Sequence, residues 1–159
     1  HVKDLLAILR WADNPKNRVA AFRALQLLEG VGPRKAERIF TAFEAGGHAW
    51  GALKTGSDEA DELYRWLGDA QTAWTGQLAR VRAWYEPVLF ERYDAAEVRA
   101  GDLEQLQRIA GTFERREQFL TEMALDPPSA TGDQSRDALL DEDYLILSTV
   151  HSEIGRAHV

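Results

Sequence analysis

Apolar residues recur at helical rather than strand spacing along most of this 159-residue chain. Leu5, Leu6, Ile8, Leu9 and Trp11 mark the inner face of a short amphipathic helix, closed by the breaker Asp13-Asn14-Pro15. Val19, Phe22, Leu25, Leu27 and Leu28 repeat the pattern in a second helix, which should stop at Gly30. Pro33 has a fixed φ and no N–H, so it is placed to open a third helix. Ala36, Ile39, Phe40 and Phe43 form the inner face of that helix, and Gly46-Gly47 ends it. A loop over 51–57 leads into a short acidic helix over 57–66. The next pattern predicts a longer helix over 69–93, with Trp74, Leu78, Val81 and Trp84 inward and Pro87 kinking or dividing it. Helices over 94–109 and 113–123 complete this part.

Beyond it the pattern changes. Asp126-Pro127-Pro128-Ser129-Ala130-Thr131-Gly132-Asp133 has the composition of a linker. Residues 144–150 are a continuous apolar run of the kind buried on both faces of a parallel sheet. The expected fold class is therefore all-α, with a helical body over 1–126, a linker over 127–141, and one strand with its turn over 142–152. That strand has no partner elsewhere in the sequence, so it is expected to belong to a neighbouring domain of a longer protein.

Composition narrows the chemistry. With no cysteine, a disulfide framework and a thiolate metal site are both excluded. The longest apolar runs are too short to span a bilayer, and no signal peptide is evident. The net charge of −7 argues against a generally adhesive nucleic-acid binder, but the distribution is uneven. Lys16, Arg18, Arg23, Arg34, Lys35 and Arg38 concentrate positive charge near one end. Such a cluster is either a solvated helix surface or a phosphate-binding face.

Leu28-Glu29-Gly30-Val31-Gly32-Pro33-Arg34-Lys35-Ala36-Glu37-Arg38 has the form of a helix-hairpin-helix. Glycines at 30 and 32 permit unusual backbone angles and let the main chain approach a surface with no Cβ in the way. Val31 would plug the turn into the core. The free N–H groups at the start of the third helix, with its dipole behind them, suit a phosphate. Arg34 and Lys35 add charge where those donors point. A site of this kind grips the DNA backbone without reading bases. The plain alternative is an αα-turn whose glycines only stop and restart helices, and Glu29 and Glu37 weigh on that side.

Other constellations are weaker. His1, His48, His151 and His158 show no metal-ligand spacing, and Asp141-Glu142-Asp143 reads as a solvated charge run. Trp66, Trp74 and Trp84 are expected in the core rather than as base-stacking platforms. Neither a phosphate-binding loop, a nucleophile triad nor a carboxylate pair can be assembled, so no catalytic residue is assigned.

Three stretches, His1 to Pro15, Phe22 to Ala36 and Leu139 to Ser152, resemble in that order the segment of UvrD/Rep-type DNA helicases between their fourth and fifth conserved motifs. In that family the segment is the helical 2B accessory subdomain, inserted in the second RecA-like motor domain, and the following strand returns to the motor. The resemblance implies an ATP- and Mg²⁺-dependent motor moving 3′ to 5′ on single-stranded DNA. Its accessory subdomain would contact the duplex through a Gly-x-Gly hairpin, matched here by Gly30-Val31-Gly32. It would also regulate the motor, and could bind repair or replication proteins. The fifth motif runs Thr-x-His-x-Ala-Lys-Gly-x-Glu, so Thr149 and His151 would contact the single strand.

The chain then departs from that motif, with Glu153 where Ala is expected and Ile154 where Lys is expected. Ile154-Gly155-Arg156-Ala157-His158-Val159 is what one frame of ATCGGAAGAGCACACGTC encodes, a string similar to a sequencing adapter. Residues 153–159 are accordingly expected to be non-native, the alternative being a true divergent C-terminus. The resemblance places the ATP-binding machinery outside this chain, which alone should be inactive, and implies a cytoplasmic, nucleoid-associated parent enzyme. The alternative expectation is a free-standing helix-hairpin-helix DNA-binding module without a motor.

Overall fold

The computed structural model describes residues 1–126. The predicted linker, the apolar run 144–150, Thr149, His151 and the tail lie outside the described residues. Those described are all-helical, with no strand among them. They form α1 (Val2–Asp13), α2 (Arg18–Leu25), α3 (Pro33–Ala45), a 3₁₀ turn (Trp50–Ala52), α4 (Asp58–Gly68), α5 (Gln77–Arg92), α6 (Ala96–Ala110) and α7 (Arg116–Leu125). They divide into two compact units, His1–Val88 and a second beginning at Leu89, and α5 runs through the division.

In the first unit α1 packs on α2 and α4, α2 packs on α3, and α4 packs on the 3₁₀ turn. The first and third helices follow the apolar pattern closely. Leu5, Leu6, Ile8, Leu9 and Trp11 are buried, as are Ala36, Ile39, Phe40 and Phe43 of α3. Asn17 caps α2 by accepting the Ala20 N–H (3.0 Å), and Ser57 caps α4 by accepting that of Ala60 (3.2 Å). Trp11 is the hub of the core. Its ring meets Phe43 edge-on at 5.5 Å, Trp50 at 5.1 Å and Tyr64 at 4.6 Å, while Trp50 stacks on Tyr64 at 5.4 Å. Buried Asp61 is satisfied by the Thr55 hydroxyl (2.6 Å) and the Thr55 N–H (3.0 Å).

Four expectations are corrected. Val19 is 84% exposed. The second helix ends at Leu25, and Leu27 and Leu28 reach the core from the turn after it rather than from the Val19 face. The helix expected from Asp69 starts only at Gln77. Asp69 accepts the Gln71 N–H (2.9 Å), the Thr72 hydroxyl donates to the Trp66 carbonyl (2.7 Å), and Gly76 takes φ +88°, so local side-chain bonds and a left-handed glycine replace the first two turns. Pro87 lies inside α5 and does not end it. Trp66, Trp74 and Trp84 are half-buried rather than core residues.

In the second unit Leu103, Leu106 and Ala110 of α6 and Phe119, Leu120 and Met123 of α7 are buried. Arg99 is also buried. It donates from Nε to the Asp94 carbonyl (3.0 Å), and its guanidinium lies 4.6 Å from the Tyr93 ring centroid.

Candidate nucleic-acid interface

The α2–α3 turn is built by short-range backbone bonds. The Leu27 N–H donates to the Ala24 carbonyl (3.2 Å), Leu28 to Leu25 (3.1 Å), and Val31 to Leu28 (3.2 Å). Gly30 then takes φ +75°, a left-handed conformation that costs a Cβ-bearing residue energy. The reversal drives Val31 inward, where it is 7% exposed, and leaves Gly30 and Gly32 on the surface. No heavy atom stands within 4 Å of a Cβ built on either glycine, so both face open space.

Gly32 is the N-cap of α3 and Pro33 its first residue. Glycine has no side chain to cap with, and the first turn carries no acidic residue. The amides of Arg34 and Lys35 therefore point outward without a side-chain acceptor, at the positive end of the helix dipole. Arg34, Lys35 and Arg38 are exposed around them. Ala36 is fully buried, and its N–H donates to the Gly32 carbonyl (2.9 Å), which anchors the turn from below. The five hairpin residues singled out from sequence thus stand together: one plug, two bare glycines and two cations at an uncapped helix start. Such an array can hold an anion by backbone donors and charge, and it has no group to do covalent chemistry.

The basic cluster read from sequence separates into different roles. Arg23 is not on this surface network. Its Nε donates to the buried Asp4 carboxylate at 2.9 Å, tying α2 to α1. Arg18 lies 3.6 Å from Glu37, with its guanidinium 4.9 Å from the Phe22 centroid and 5.3 Å from that of Phe40. Sequence reasoning missed both pairings, since each joins positions on different helices and no periodic signal links them. Arg80 lies over Trp66 at 4.4 Å, so that indole face already carries a cation.

Among the described residues no helix is long and apolar enough to cross a membrane, and no group of three or more metal-ligating side chains is present. Comparison with protein-family models, curated proteins and solved structures gives no match.

Proposed function

We propose that this chain is the duplex-contacting accessory part of a UvrD/Rep-type 3′–5′ DNA helicase, holding backbone phosphates through a helix-hairpin-helix formed by α2, the Gly30-Val31-Gly32 turn and α3. The observation that carries this reading is the uncapped start of α3, where outward amides coincide with exposed Arg34 and Lys35 and no acid shares the first turn. The all-helical body over 1–126 agrees with it. In this reading the parent enzyme binds ATP and Mg²⁺ elsewhere, Thr149 and His151 lie on the single-strand side, and this part positions duplex ahead of the motor. Contacts of backbone type make binding independent of base sequence and strongly dependent on salt.

Titrating the chain into labelled duplex of two unrelated sequences tests the reading. Arg34→Ala/Lys35→Ala should weaken both equally and lower the slope of log affinity against log salt by about 1.8, roughly 0.9 per phosphate contact. Unchanged affinity would make the turn purely structural. Purified chain should show no DNA-stimulated ATP hydrolysis, and measurable turnover would refute the assignment of the motor to other parts of the protein.

A second reading, a free-standing DNA-binding module, is favoured by one observation. The hairpin lies within a compact unit, His1–Val88, that has its own aromatic core. Coding sequence upstream with a phosphate-binding loop decides for the helicase.

A further inference from the structure

Glu37 is the acid that should spoil the hairpin as a phosphate site. It stands on the outer face of α3, lining one shallow groove with Arg34 and Arg38. A carboxylate there repels phosphate and competes for both arginines. Its ion-pair partner is nevertheless Arg18 of α2, at 3.6 Å, and not a cation of its own helix. Arg18 is oddly placed for helix stability, since it opens α2 at the end where the dipole disfavours a cation. It is held there by the faces of Phe22 and Phe40, at 4.9 and 5.3 Å.

From this arrangement we infer that Arg18 is a positioning residue for the proposed DNA site: it takes up the Glu37 carboxylate across the helix pair and so leaves Arg34 and Arg38 free to meet backbone phosphates. The inference rests on the proposed phosphate contact of the hairpin and adds the part of the site that controls its charge. The ion pair is exposed and contributes little to folding. Its consequence lies in which cations Glu37 neutralises. With Arg18 removed, Glu37 turns to Arg34, three residues before it on the same helix face, and withdraws a cation from the phosphate.

A mutant cycle on the full chain, with a short duplex as probe and a salt series for each variant, tests this. Arg18→Ala should weaken binding about three- to fivefold at low salt and reduce the salt slope by about 0.9, one phosphate contact. Glu37→Gln should bind at least as tightly as the parent. Arg18→Ala/Glu37→Gln should recover both the affinity and the slope. An unaffected Arg18→Ala overturns the inference, as does a double variant as weak as Arg18→Ala, since Arg18 would then touch phosphate directly. Arg18→Gln, which keeps an alkyl stem over the two rings, runs the same cycle if the alanine variant does not fold. Arg34→Ala/Lys35→Ala in parallel separates the two levels. If it loses binding while the cycle shows no recovery, only the role of Arg18 falls. If it binds normally, the phosphate site falls and the role of Arg18 with it.

Discussion

Arg23 Nε stands 2.9 Å from Asp4 Oδ1, and the Tyr85 hydroxyl donates to the other carboxylate oxygen at 2.5 Å. Asp4 is 4% exposed, so its charge has lost most of its water and is stabilised instead by donors from two other helices. These partners lie 19 and 81 positions away in sequence, so the carboxylate fastens α1, α2 and the middle of α5 at one point. Arg23→Ala should therefore lower stability by about 1–3 kcal/mol in urea denaturation. Duplex affinity and its salt slope should stay at the parent values. A slope reduced as much as in Arg34→Ala would return Arg23 to the DNA face.

Two buried tyrosines should respond oppositely to loss of the hydroxyl. Tyr85→Phe removes a donor from a buried carboxylate and should cost about 1.5–3 kcal/mol. The Tyr64 hydroxyl is buried with no hydrogen-bond partner, so Tyr64→Phe should be neutral or stabilising by up to about 1 kcal/mol. Comparable losses in the two variants would contradict this account.

Burial also pushes the Tyr64 phenol far above its ordinary value. The folded chain then holds that proton more tightly than the unfolded chain does. The associated stability is fully present below about pH 10, the unfolded value, and is lost progressively as pH rises above it. Tyr64→Phe should remove this part of alkaline destabilisation, which chemical denaturation at stepped pH measures. A parent-like alkaline decline in the variant would assign the effect to other groups.

The two hairpin glycines separate folding from contact. Gly30→Ala forces a Cβ into φ +75° and should cost about 1 kcal/mol in thermal or chemical unfolding. Gly32 has φ −95° and ψ −170°, which any residue adopts, and no neighbour stands where its Cβ would go. Gly32→Ala should fold normally yet weaken duplex binding, because the new methyl group keeps the backbone from close approach. Full binding by Gly32→Ala would mean that no surface approaches there.

Gly68 marks a close approach of a different kind. A Cβ at this position would clash with the Trp50 indole, which is itself stacked on Tyr64. The ring cannot retreat without breaking that stack. Gly68→Ala should destabilise by about 1–3 kcal/mol, and near-UV circular dichroism should register the displaced tryptophan. An unchanged spectrum with parent stability would show that Trp50 has room to move.

α1 and α3 were legible because their signals are local. Pro33 at the start of α3, four inward residues at helical spacing and the Gly30-Val31-Gly32 turn all depend on neighbours within a few residues. The start of α5 was not legible, since Trp74 and Leu78 continue a helical rhythm through a segment where Asp69 and Thr72 bond the backbone locally and Gly76 reverses it. Tryptophans misled for a related reason. Spacing put Trp66, Trp74 and Trp84 inward, whereas among the tryptophans Trp11 alone is fully buried, with Trp50 packed against it and stacked on Tyr64.

By itself, then, the sequence determined the helical class, the two faces of α3, and a glycine turn followed by two cations, because helix periodicity and backbone freedom are properties of short stretches. Only the tertiary structure decided what each charge does. Arg18, Arg23 and Arg34 are alike in sequence, yet one meets Glu37, one meets the buried Asp4, and one stands at the open start of α3. An ion's role is set by the partner and the amount of water it meets in space, and the fold brings those together from distant parts of the chain.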